Sequence, residues 1–166
     1  MTMVLSLVFP ALMAYAAASD LLTMTIPNKL TLLVVATFAI FAVATGLSGT
    51  AILLHVCAGA LVLSACFAMF ALGWMGGGDA KLAAGIALWL GFEPLVDYLL
   101  IAAIAGGALT LLILFVRGTP VPTFVLGWSW FARLHDNRAG VPYGIALAGA
   151  ALLVYPESPL LKGLVG

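Results

Sequence analysis

The chain has 166 residues, 65% of them hydrophobic and 7% charged, with a formal net charge of zero and a mean hydropathy of +1.27. A soluble domain carries about 25% charged residues, so this composition cannot clothe a water-facing surface, and the balanced charge gives no sign of a nucleic-acid partner. Its apolar runs approach or reach the roughly 20 residues a helix needs to cross hydrocarbon. They lack the alternation of barrel strands. The expectation is an all-α, polytopic integral membrane protein, a single membrane-embedded domain over residues 1–166.

Six apolar segments follow in chain order, over about residues 3–22, 30–46, 51–73, 80–91, 97–116 and 142–156. The first has no basic residues at its start, unlike a cleavable signal peptide, and carries Pro10, which predicts a kink. Pro27 and Asn28 then punctuate the chain, with Asn28 expected to N-cap the second span. GLSGT, residues 46–50, turns into the third span. There Cys57 and Cys66 fall on opposite helix faces about 13 Å apart, so they read as packing residues and not as a disulfide. His55, near the start and outer end of that span, reads as a polar packing or surface residue.

The fourth segment opens on GGGDAKL, residues 76–82. Some 12 residues of helix cover less than about 20 Å of a hydrocarbon layer ~30 Å thick. Asp79 and its glycines are therefore expected below the membrane surface, where non-helical backbone lines a wet cavity. Gly76, Gly77 and Gly78 permit positive φ and close backbone approach, and their peptide groups are candidates for holding an extended substrate. Lys81 is two positions beyond Asp79 and points to a different side; lipid phosphate or an acidic substrate residue is its expected partner.

The fifth segment ends at Arg117, and residues 117–141 form the long connection. There Trp128, Trp130 and Phe131 mix with Arg133 and Arg138, which suits a connector in the headgroup region or a gate beside a site. His135 with Asp136 is too little for a metal site. Pro156 is expected to end the sixth segment. Lys29, Lys81, Arg117, Arg133 and Arg138 fall in the first, third and fifth connections, with Lys162 alone opposite. Basic residues favour the cytoplasmic side, so six spans with both termini outside are expected.

That topology brings two acids to one membrane face: Asp20 in the last turn of span one and Asp79 at the start of span four. Acids at membrane depth are functional candidates because their burial is expensive. Two carboxyl groups held together cannot both ionise cheaply, so one keeps a proton. This is what aspartic proteolysis requires, one group taking a proton from water while the other protonates the carbonyl.

At these residues the sequence resembles the prepilin peptidases of type IV pilus systems, the GxGD class of intramembrane aspartic proteases, and most closely the short form of tight-adherence (Flp) pili. The resemblance rests on DLLTMTIPNKLTL at residues 20–32, GGGDAKL at 76–82 and, more weakly, VPYGIALA at 141–148. It implies that Asp20 and Asp79 are the catalytic pair. The implied substrates are prepilins and pseudopilins, cut after a glycine at the cytoplasmic edge of their hydrophobic N-terminal helix. Gly76, Gly77, Gly78 and Lys81 are the candidate substrate-binding residues, the bacterial inner membrane is the implied location, and lipid is the other expected partner. The paired CxxC motifs of longer relatives are missing, so neither zinc, nor any other cofactor, nor N-methyltransferase activity is expected. The competing readings are a proton-coupled transporter, since paired membrane acids also suit proton transfer, and a non-catalytic subunit of a secretion machine.

Overall fold

The computed structural model describes residues 6–165, so residues 3–5 of the first expected span lie outside the described residues. The helices are α1 (Val8–Thr23), α2 (Asn28–Ala44), α3 (Gly49–Ala71), α4 (Gly77–Leu90) and α5 (Leu95–Arg117), then the short α6 (Thr123–Leu126) and α7 (Ser129–His135). After these come α8 (Gly144–Val154), a 3₁₀ turn (Tyr155–Glu157) and α9 (Pro159–Val165). No strand occurs among the described residues. Among the described residues three helical stretches are long and apolar enough to cross a membrane: Gly49–Ala71, Leu95–Arg117 and Gly144–Gly163. Val8–Thr23 and Asn28–Ala44 are shorter apolar helices.

Pro10 is the third residue of α1, which a turn at Leu7 separates from helical Ser6, an interruption that falls where a proline cannot supply the i to i−4 bond. Two other local expectations are corrected. Pro27 takes the N-cap position of α2, and Asn28 is its first helical residue, with no side-chain cap. Nor does Pro156 end the sixth segment. It sits at the start of the 3₁₀ turn, where proline is tolerated, and the chain continues into α9.

The short α4 is the centre of the molecule. Ala80 and every residue from Leu82 to Leu90 are buried. Small residues let its neighbours close in: a Cβ added at Gly59 of α3 would meet Leu88 Cβ at 3.1 Å, and one at Gly85 would meet Val34 Cγ1 at 3.1 Å. Close backbone approach of this kind is how helices associate where lipid removes the hydrophobic drive. The Trp89 ring is fully buried among Phe9, Phe38, Phe41 and Tyr155, and its Nε1–H donates to the Val34 carbonyl at 2.8 Å. At the helix end, buried His55 donates through Nδ1 to the Leu88 carbonyl at 2.9 Å, the packing role expected for it. Gly91 then reverses the chain with φ +74, and a Cβ there would lie 2.9 Å from His55 Cε1, so only glycine fits.

α8 packs between α1 and α5, closing the other side. Large apolar side chains such as Leu32, Val43, Leu61, Leu111 and Phe115 face outward, as a lipid-facing surface requires. Cys57 is exposed and Cys66 buried, neither in a disulfide.

Candidate active site

The site begins where α1 stops. Met24 adopts a left-handed conformation with φ 55, and its N–H donates to the Asp20 carbonyl at 2.8 Å. Hydroxyl groups secure the turn: Thr23 Oγ1 donates to the Ser19 carbonyl at 2.7 Å and Ser19 Oγ to the Thr25 carbonyl at 3.0 Å. The chain thereby doubles back and drives Ile26 between two other helices. A Cβ at Gly78 of α4 would stand 3.3 Å from Ile26 Cβ, and one at Gly144 of α8 would stand 2.8 Å from Ile26 Cδ1.

Asp20 is buried, 4% exposed, and its Oδ2 accepts the Gly144 N–H at 2.6 Å. Asp79 is the third residue of α4, its carboxyl folded back over the N-cap Gly76, where a Cβ would lie 3.0 Å from Oδ2. Both acids line one cavity of about 960 Å³. Gly76, Gly77 and Gly78 line the same cavity, with Cys66 and Met69 of α3, Leu99 and Ala102 of α5 and Leu147 of α8 behind them.

The glycine run differs from its expected conformation. Gly76 has φ −71, while Gly77 and Gly78 belong to the first turn of α4. The left-handed glycine is Gly73, in the turn upstream, with φ +76. What the run provides is close approach: Gly78 admits Ile26, and a Cβ at Gly77 would meet the Phe70 ring at 3.2 Å. Lys81 leaves the site altogether. It lines a separate apolar groove of about 820 Å³ between α2, α3 and α4, and its Nζ donates to Asn28 Oδ1 at 2.9 Å.

Two neighbours of the acids come from VPYG, which the sequence offered only as a weak resemblance. Gly144 is the Asp20 partner, and the Tyr143 ring occupies a notch at Gly106 of α5, where a Cβ would lie 2.0 Å from Tyr143 Cζ. The long connection is tied down beside them. Arg133 Nη2 donates to the Leu22 carbonyl, two residues past Asp20, and Arg117 bonds the carbonyls of Leu134 and Gly140 at 2.6 and 2.9 Å. These cations sit on carbonyls, one of them at the negative end of α1. Among the described residues no group of three or more His, Cys, Asp or Glu side chains could hold a metal ion.

No curated protein and no solved structure matches the chain. The sequence pattern of the type IV leader peptidase family matches it over residues 7–111. The chain belongs to that family. It is thus a membrane protein and a protease of the leader-peptidase kind, a family whose substrates are of the prepilin type. The matched stretch holds Asp20, Asp79 and the glycine run, but stops before Tyr143 and Gly144.

Proposed function

We propose that the chain is an intramembrane aspartic endopeptidase that removes the short leader of type IV or Flp prepilins and pseudopilins, without methyl transfer, at the cytoplasmic face of the bacterial inner membrane. Asp20 and Asp79 are its catalytic pair. One observation carries the reading: two acids far apart in sequence line a single cavity inside an apolar bundle, where their cost calls for a function. In the reaction, the ionised carboxylate takes a proton from water as the water oxygen bonds to the scissile carbonyl carbon. The protonated partner gives its proton to the carbonyl oxygen. Collapse of the tetrahedral intermediate breaks the C–N bond, with a proton passing to the leaving amine.

The Gly144 bond occupies one oxygen of Asp20 and so fixes how the other is presented. Gly76, Gly77 and Gly78 line the cavity with little side-chain bulk, leaving room for an extended substrate. Lys81 enters through its bond to Asn28, which ties the start of α4 to the start of α2. Six spans with both termini outside follow from the basic residues of the first, third and fifth connections. The test is cleavage of a tagged prepilin, carrying its leader and hydrophobic segment, by the full chain in proteoliposomes. Asp20→Asn and Asp79→Asn are each expected to abolish the size shift while melting like the wild type. Cleavage persisting in both variants overturns the reading.

A further inference from the structure

α2 and α3 both pack on α4, and between them runs the groove that takes Lys81. Its walls include Val35 and Val43 of α2 and Ile52 and Leu63 of α3, and Ala84 and Gly85 of α4 form its floor. Polar side chains enter it at one end alone, where Asn28, Thr31 and Lys81 stand. The first turns of α2 and α4 meet at that end, joined by the 2.9 Å bond from Lys81 Nζ to Asn28 Oδ1, and their helix dipoles add positive potential there. Lys29, also exposed, is the next residue of α2. Among the described residues the only ion pair joins Lys162 to Glu157, so neither lysine has a carboxylate partner. Asp79, two positions before Lys81, lines the other cavity. The groove is thus cationic at its mouth and apolar along the rest of its length.

Size selects what fits. The groove follows α2 from Asn28 to Val43, about 22 Å at 1.5 Å per residue. A helix some 10 Å across laid along that length fills roughly 1,700 Å³, about twice the groove's volume of about 820 Å³. A transmembrane helix can touch the rim but not enter. Acyl chains are narrower, and they already surround this face, where Leu32 and Val43 are exposed. An ammonium group binds phosphate as a point charge. A zwitterionic headgroup brings a cation of its own to the lysines, whereas an anionic one brings net negative charge.

We propose that the groove binds one anionic phospholipid, its phosphate on Lys81 Nζ and its acyl chains along α4 between α2 and α3. The site is separate from the two acids and stands whether or not the chain cuts prepilins. In the test, the full chain in mild detergent is titrated with phosphatidylglycerol or with phosphatidylcholine of the same chains, and retained lipid is read by native mass spectrometry. One phosphatidylglycerol per chain is expected, held about tenfold more tightly than phosphatidylcholine, the scale of one or two lysines acting on an anionic head. Lys81→Gln is expected to remove that preference. Ala60→Phe sets a ring into the groove from an exposed position and is expected to weaken both lipids. Glycerol phosphate, the head without its chains, is expected not to compete even in large excess.

Equal affinity of the wild type for the two lipids overturns the proposal, and that measurement needs no variant. A preference unchanged in Lys81→Gln overturns it too. Competition by glycerol phosphate would mark a site for a bare anion and also sinks it. Other occupants are tested with a photoreactive side chain in place of Ala39, which lines the groove, in nanodiscs containing phosphatidylglycerol. A lipid adduct is expected; adducts only to a prepilin or to a second copy of the chain overturn the assignment.

Discussion

Gly144 donates its N–H to Asp20 Oδ2 at 2.6 Å, and a Cβ at residue 144 would come within 2.8 Å of that same oxygen. The two residues are 124 positions apart. Glycine is therefore the one residue type that both bonds the acid and leaves it in place. Gly144→Ala should push the Asp20 carboxyl and Ile26 away from α8. Misplacing a reacting group by about 1 Å can cost roughly 100-fold in rate, and a loss of that order is expected in prepilin cleavage, with a melting temperature lowered by a few degrees. Wild-type cleavage by Gly144→Ala would show that the bond does not position the acid.

The rate should also depend on pH from both sides. The proposed chemistry needs one carboxyl protonated and its partner ionised, so acid removes the base and alkali removes the acid. A bell-shaped kcat/KM profile is expected for the wild type, its two limbs belonging to the pair and not to either residue. A rate flat across the whole range in which the protein stays folded would contradict shared-proton catalysis.

Tyr143 and Gly106 form a lock between α8 and α5. A methyl group at residue 106 would sit inside the tyrosine ring, so Gly106→Ala should lower stability by about 1–3 kcal/mol, the usual cost of overpacking. Adding Tyr143→Ala should recover part of that loss, because the space the methyl needs is then vacant. Thermal melting of the two single variants and the double variant measures this coupling; strictly additive effects would deny the contact.

Trp89→Phe removes the bond to the Val34 carbonyl while keeping an aromatic ring in the buried cluster. Hydrogen bonds between helices in membranes average about 0.6 kcal/mol and reach about 1.7. A loss of stability within that range is expected, with cleavage unaffected. A collapse of the fold would mean that the tryptophan's shape, and not its bond, holds α2 to α4.

Apolar runs and turn residues were enough to place the main helices, and the cost of acids within apolar runs enough to single out Asp20 and Asp79, which line one cavity. Both readings rest on local composition, which the bilayer makes unusually informative. The two-residue step from Asp79 to Lys81 likewise sends their side chains into different cavities. What stayed hidden depends on packing between distant segments. Ile26 reads as part of a turn until it is wedged between Gly78 and Gly144. The glycine run invited non-helical backbone because glycine disfavours helix, yet neighbours pressing on Gly77 and Gly78 select it for size inside one.

The burial of α4 beyond its first turn bears on how such an enzyme shares a membrane with an energised cell. Hydrolysis has to draw solvent to the acids, yet any continuous wet path would let ions run down their gradient. From Leu82 to Leu90 every residue of the helix is buried and the groove beside it is apolar, while its opening turn borders the cavity. With the proposed chemistry at its first turn, one element would be both the bed of the reaction and, through its dry remainder, a barrier to ions.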